Sequence, residues 1–125
     1  MNNPEELKYS KTHEWVKEED GLYVIGLTDF AQSELGDIVF INLPEVGDAV
    51  TAGAAFADVE SVKAVSDVFS PVSGTVAEIN EEILDNTAAI NETPYEAWLI
   101  KVQDVDTFEE LLDSAAYTEF CAQEG

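Results

Sequence analysis

The sequence predicts a mainly β fold, a barrel or a sandwich, with a short helix near 28–35 and a helical segment at the C-terminus. Three observations carry this. Short apolar runs of strand length alternate with clusters of Gly, Pro, Asp and Ser, which is the pattern of many brief strands joined by turns. The apolar share, 46%, is enough for a packed core and argues against disorder. The last twenty residues change period, from steps of two to steps of three and four.

The strands follow in order. Glu19-Asp20-Gly21 is a turn signal, and the β-rich run Leu22 to Leu27 comes directly after it. Thr28 to Gly36 reads as a short helix: Thr28 is a side-chain cap, Asp29 suits the positive end of the dipole, and Gly36 supplies a left-handed stop. Asp37 to Leu43 is a second strand, closed by Pro44-Glu45-Val46-Gly47-Asp48. Ala54–Val59 and Val65–Phe69 are two further strands, and Gly74–Ile79 is a third after the Ser70 to Gly74 turn. Trp98 to Val102 is the last.

In the tail, Phe108, Leu111, Leu112, Ala115, Ala116 and Phe120 fall on one stripe of an amphipathic helix. Thr107 and Glu110 have capping-box spacing, and Asp113-Ser114 offers a second start, so one helix or two fit the pattern. The expected organisation is one domain over 1–125, with a β core at about 7–103 and a helical cover at about 104–121.

Charge narrows the function. Twenty-seven acidic residues stand against five lysines, and the formal net charge is −22. Such a surface repels nucleic acid and the anionic face of a membrane, and it favours partners with basic patches. It also opposes self-association, so a monomer is expected. The one cysteine, Cys121, excludes an internal disulfide and a Cys-x-x-Cys pair. The N-terminal residues show no leader pattern and no apolar run reaches membrane-span length, so a cytoplasmic protein is expected. No His/Cys cluster has metal-ligand spacing, and no Gly-rich phosphate loop is present.

Lys63 is out of place. It is the only basic residue between Glu18 and Ile100, and it falls in the polar break between two apolar strands, which is a hairpin tip. Catalysis by the amine itself would need the neutral form. A lysine amine in water is neutral in only about one molecule in 2,500 at pH 7, and the neighbours Asp58, Glu60 and Asp67 are carboxylates, which stabilise an ammonium. Lys63 is better suited to be acylated by another enzyme than to act as a nucleophile.

The wording around it is specific. His13-Glu14-Trp15, Gly26-Leu27-Thr28, Leu35 to Val39, Leu43 to Gly47, Glu60-Ser61-Val62-Lys63-Ala64, Ser70 to Gly74, Ile90-Asn91, Pro94-Tyr95 and Trp98-Leu99 occur in this order. In this set the chain resembles the H proteins of the glycine cleavage system, and its tail from Leu111 to Glu124 resembles bacterial members. It departs from them at Thr87, where proline is usual, and at Glu96-Ala97, one residue shorter than usual.

The resemblance implies a hybrid barrel-sandwich of the lipoyl/biotinyl-carrier kind. It implies lipoic acid in amide linkage to Lys63, with Glu60, Ser61, Val62 and Ala64 as the recognition motif. Val62 and Ala64 stand where a biotin carrier typically has methionines, which favours lipoate. The implied role is a non-catalytic carrier that takes the aminomethyl group of glycine from a pyridoxal-phosphate glycine decarboxylase to a tetrahydrofolate-dependent aminomethyltransferase. A flavin-dependent (FAD) dihydrolipoamide dehydrogenase then reoxidises it, and a lipoate-attaching enzyme is a further partner.

A loaded amine needs a sheltered carboxylate, and Glu14 and Asp67, with Thr12 nearby, are the expected holders. His13 and Trp15 read as structural. A biotinyl carrier, a small carboxylate hydrolase and an unmodified acidic interaction module remain as alternatives. The last two require an unmodified Lys63.

Overall fold

The computed structural model describes residues 3–124. Ten strands and four helices follow one another along these residues. They are β1 (Lys8–Ser10), β2 (Glu14–Glu19), β3 (Leu22–Leu27), α1 (Asp29–Leu35), β4 (Ile38–Asn42), β5 (Ala49–Val50), β6 (Ala55–Ser61), β7 (Val65–Phe69), β8 (Val72–Ile79), α2 (Glu82–Asp85), α3 (Ala88–Glu92), β9 (Ile100–Phe108), β10 (Leu111–Leu112) and α4 (Ser114–Glu124). A seven-stranded sheet has the order β10-β1-β2-β3-β9-β8-β5, and a three-stranded sheet has the order β4-β6-β7. Every strand pairing within them is antiparallel.

The main core lies where the two sheets face each other. Val16, Ile25, Val76 and Val102 of the large sheet belong to the same buried cluster as Ile41, Val59 and Val68 of the small one. In β6 Val59 is sealed between exposed Glu60 and half-buried Asp58, while the register shift between Ala55 and Ala57 interrupts the alternation earlier in the strand. This is the mainly β architecture expected from the turn spacing, in the barrel-sandwich form that the resemblance implies.

The run Leu22 to Leu27 is almost wholly apolar because β3 is covered on both faces. Ile25 and Leu27 enter the main core, while Val24 joins Trp15, Tyr9, Leu7 and Tyr117 in a second cluster on the opposite face. Trp15 lies directly across from Gly26 in the β2–β3 pairing. A Cβ at Gly26 would sit 2.6 Å from the indole ring, so only glycine leaves room for it there.

Two expectations about local structure are corrected. The helical period does not make a helix over 108–112. β9 runs on to Phe108, pairing Thr107 with Ser73 and Phe108 with Val72, and Leu111-Leu112 pairs with Tyr9-Ser10. Long-range ladder bonds and burial outweigh a local periodicity that β-branched Val105 and Thr107 support only weakly. The helical cover thus begins at Ser114 and not near 104. Asp113 caps it, accepting the Ala116 N–H at 2.8 Å, and the stripe it buries is Tyr117, Phe120 and Cys121, not Ala115 and Ala116, which are exposed. The chain between Asn80 and Trp98, where no helix is expected from the sequence, forms the short α2 and α3. Their Ile83 and Ile90 complete the main core.

Candidate functional site

The tip between β6 and β7 is a closed turn. The Ser61 N–H donates to the Ala64 carbonyl at 2.8 Å. The Ser61 hydroxyl oxygen accepts the N–H groups of Lys63 and Ala64, both at 3.2 Å. The Val62 N–H donates to the Asp37 carbonyl at 3.1 Å, tying the tip to the start of β4. Glu60, Val62, Lys63 and Ala64 are all exposed, with Ser61 half-buried. Residues 60–64 therefore sit on a hydrogen-bonded corner, the hairpin tip that the sequence predicts.

Beneath Lys63 lies Gly36, the C-cap of α1, at φ 78°. A Cβ there would come within 3.4 Å of Lys63 Cε and 3.7 Å of Val62 Cγ2. The bare backbone is a cradle along which the lysine stem runs. Asn91 fixes this corner: its side chain accepts the Ile38 N–H at 2.9 Å and donates to the Gly36 carbonyl at 2.8 Å and to Gln32 Oε1 at 3.1 Å. Thr87, the unusual residue, donates its hydroxyl to the Ile38 carbonyl at 2.8 Å, so the change from proline adds an anchor to the same strand.

A cleft of about 150 Å³ opens beside α1. Thr12, Glu14, Ser66 and Asp67 line it with polar groups, and Leu27, Phe30, Ala31, Leu35, Val59 and Val68 form apolar walls. The structure brings Glu14, Asp67 and Thr12 to one cleft, Thr12 and Glu14 from the turn into β2 and Asp67 from β7.

Glu14 is sealed, with 1% of its surface exposed. One carboxylate oxygen accepts the Ser10 hydroxyl at 2.7 Å and the Thr12 hydroxyl, and the other accepts the Phe69 N–H at 3.2 Å. Burial pushes its pKa up to about 7, against the pull of these hydrogen bonds. Ser10 is a residue the sequence reading missed. Its signal is a hydroxyl at each of two positions, 10 and 12, leading by even steps to an acid. His13, read as structural, both lines the cleft and bonds to Tyr117. Trp15 is structural, its indole N–H donating to the Pro94 carbonyl at 3.0 Å.

An exposed lysine on a braced β-hairpin tip, its stem lying over Gly36, is what a carrier domain needs: a side chain held out to its partners. Comparison with known proteins supports this and makes it specific. Residues 7–124 match the glycine cleavage H-protein family. The chain is 55% identical, over 96% of its own length and 95% of the relative's, to the glycine cleavage system H protein of Lachnoclostridium phytofermentans. It is 56% identical to that of Halalkalibacterium halodurans, over 98% of each chain. The crystal structure of a glycine cleavage system H protein from Mycobacterium marinum superposes with a TM-score of 0.88 at 40% identity, covering 98% of both chains. The chain belongs to the glycine cleavage H-protein family, and its role is that of a carrier in the glycine cleavage system.

Proposed function

We propose that the carried group is lipoic acid, joined by an amide to Lys63 Nζ, and that the cleft holding Glu14, Asp67 and Thr12 shelters the amine it transports. The observation that carries this reading is the pairing of an exposed amine on a braced tip with a buried carboxylate in an adjacent cleft. When bound, the lipoyl group supplies a reducible disulfide, which explains why the protein needs no redox cysteines of its own.

The residues present suit such a group. The Gly36 cradle lets a long stem lie flat at its root, and acylation removes one positive charge, changing the formal net charge from −22 to −23. The cleft's apolar walls exclude water from an S-aminomethyl group, whose hydrolysis to thiol, formaldehyde and ammonia would waste it. Ionised Glu14 and Asp67 stabilise its ammonium, while Thr12 orients Glu14 by hydrogen bonding. The chain catalyses no step: it presents, shelters and releases.

In this reading the partners are the pyridoxal-phosphate glycine decarboxylase, the tetrahydrofolate-dependent aminomethyltransferase, the dihydrolipoamide dehydrogenase and a lipoate-attaching enzyme, all in the cytoplasm. Val39, Phe40, Val62 and Val65 expose apolar surface around the tip, with acidic residues about it, which suits enzymes with an apolar seat and a basic rim. Intact mass and peptide mapping after treatment with lipoate and its ligase test the proposal. A lipoyl increment on Lys63, absent from Lys63→Arg, is expected. A biotinyl increment, or none, would overturn it.

A further inference from the structure

We propose that Tyr117, on the C-terminal helix, is a positioning residue of the cleft: its single hydroxyl holds the turn that aims Glu14 and the helix that forms the opposite wall. The inference rests on the reading of the cleft as the amine's shelter.

Tyr117 is fully buried and lies far from Lys63 in the chain. Its hydroxyl is 2.7 Å from His13 Nδ1 and 2.7 Å from Thr28 Oγ1. A phenol has one proton to give and lone pairs to receive, so it can bond to both at once, donating to one and accepting from the other.

Each partner controls one wall. His13 directly precedes Glu14 and is held at φ 74°, a left-handed conformation that costs a non-glycine residue on the order of 1 kcal/mol. This sharp turn closes on itself through the His13 N–H to the Ser10 carbonyl and the Thr28 N–H to the His13 carbonyl. It is what lets both the Ser10 and Thr12 hydroxyls converge on one oxygen of Glu14. Thr28 is the N-cap of α1, its hydroxyl oxygen accepting the Ala31 N–H at 3.1 Å. That helix carries Phe30, Ala31, Glu34 and Leu35 into the cleft. The His13 ring also stacks on Phe30, with centroids 4.5 Å apart, so the two walls already touch. The phenol of α4 locks that contact from behind.

Removing only the oxygen isolates the effect. Tyr117→Phe keeps the ring that stacks on Tyr9 at 4.5 Å and therefore keeps the packing of the second core. It leaves His13 and Thr28 without a common tie, so the Glu14 carboxylate and the α1 wall lose their fixed relation.

The test uses the full-length lipoylated protein loaded with the aminomethyl group by glycine decarboxylase, and follows the release of formaldehyde and ammonia. Tyr117→Phe is expected to lose its load about three to ten times faster, the range that about one hydrogen bond represents. The same substitution in a Glu14→Gln background should add little, because its effect runs through Glu14. A merely structural role would speed release equally in both backgrounds, and that outcome overturns the proposal, as does an unchanged rate in Tyr117→Phe. Should Tyr117→Phe fold poorly, His13→Gly keeps the left-handed backbone without the side-chain bond and must reproduce the faster release and its dependence on Glu14. If Glu14→Gln alone leaves release unchanged, the shelter reading itself fails, and the positioning proposal with it. If Glu14→Gln speeds release and Tyr117→Phe does not, only the positioning proposal fails.

Discussion

The Glu14 carboxylate and the Phe69 N–H, 3.2 Å apart, join the two sheets across the edge of the cleft. Glu14 begins β2 in the large sheet, and Phe69 ends β7, the strand that leaves the Lys63 tip. A polar bond thus links the hairpin that carries Lys63 to the wall of the cleft. The acid is retained at a cost in stability, and that cost is measurable.

Its size and sign follow from burial. Glu14 titrates at about 7 in the folded protein, against 4.5 ordinarily, so between those values the native state binds more protons than the unfolded chain. Stability contributed by the protonated group is fully present below about 4.5 and is lost as pH rises through about 7. At 1.36 kcal/mol per unit the loss is about 3 kcal/mol. Urea unfolding of wild type and Glu14→Gln at a series of pH values should show their difference moving by this order in favour of Gln between pH 4.5 and 7.5. A constant difference would refute it.

The same titration governs retention of the load. An ammonium is held by the ionised carboxylate and not by the neutral acid, and it lowers the carboxyl's pKa in turn, so wild type should lose its aminomethyl group faster, relative to Glu14→Gln, as pH falls below the unloaded protein's value of about 7. Release rates measured on both proteins above and below that value check the direction.

Asn91 ties three backbone and side-chain groups at the foot of the cradle. Asn91→Ala strands the Ile38 N–H and the Gly36 carbonyl, and should cost about 1–3 kcal/mol in chemical denaturation. Lipoylation of Lys63 by the ligase should slow as well, because α1 and β4 no longer brace the surface under the tip.

Gly36→Ala tests the cradle directly. At φ 78° and ψ −160° the backbone lies in a region that is essentially glycine's alone and disfavours alanine by about 1–3 kcal/mol, and the new methyl meets the Lys63 stem at 3.4 Å. Lower stability is expected together with faster amide exchange at Lys63. A variant as stable as wild type would show that the C-cap relaxes freely.

Gly26→Ala should be more severe for folding and silent for chemistry. The Cβ would stand 2.6 Å from the Trp15 ring, and overpacking of this kind costs about 1–3 kcal/mol. Trp15 fluorescence should shift as the indole moves, while the modification of Lys63 proceeds.

Local chemistry made much of the site legible. The Thr28 cap and the Gly36 stop of α1, and the polar break that carries Lys63, depend on neighbours within a few residues, and they appear where the sequence reading puts them. Thr107-x-x-Glu110 shows the limit of that method. Its capping-box spacing is real, yet the Thr107 hydroxyl donates to Asp106 and Thr107 and Phe108 lie in a ladder with β8, because strand partners some thirty residues away satisfy the backbone that a helix would otherwise have to satisfy locally.

The amino-acid order by itself determined the mainly β class, the acidic surface, the lone basic residue between Glu18 and Ile100 and the set of residues that resembles H proteins. These are set by composition, by turn chemistry and by short-range pattern. Only the tertiary structure decided that one acid among twenty-seven is sealed from water, that Ser10, Thr12 and Phe69 converge on it, and that a tyrosine from the last helix stands behind both walls. A carboxylate's environment depends on what distant segments desolvate and hydrogen-bond it, and no property of a residue's own neighbours in the chain carries that information.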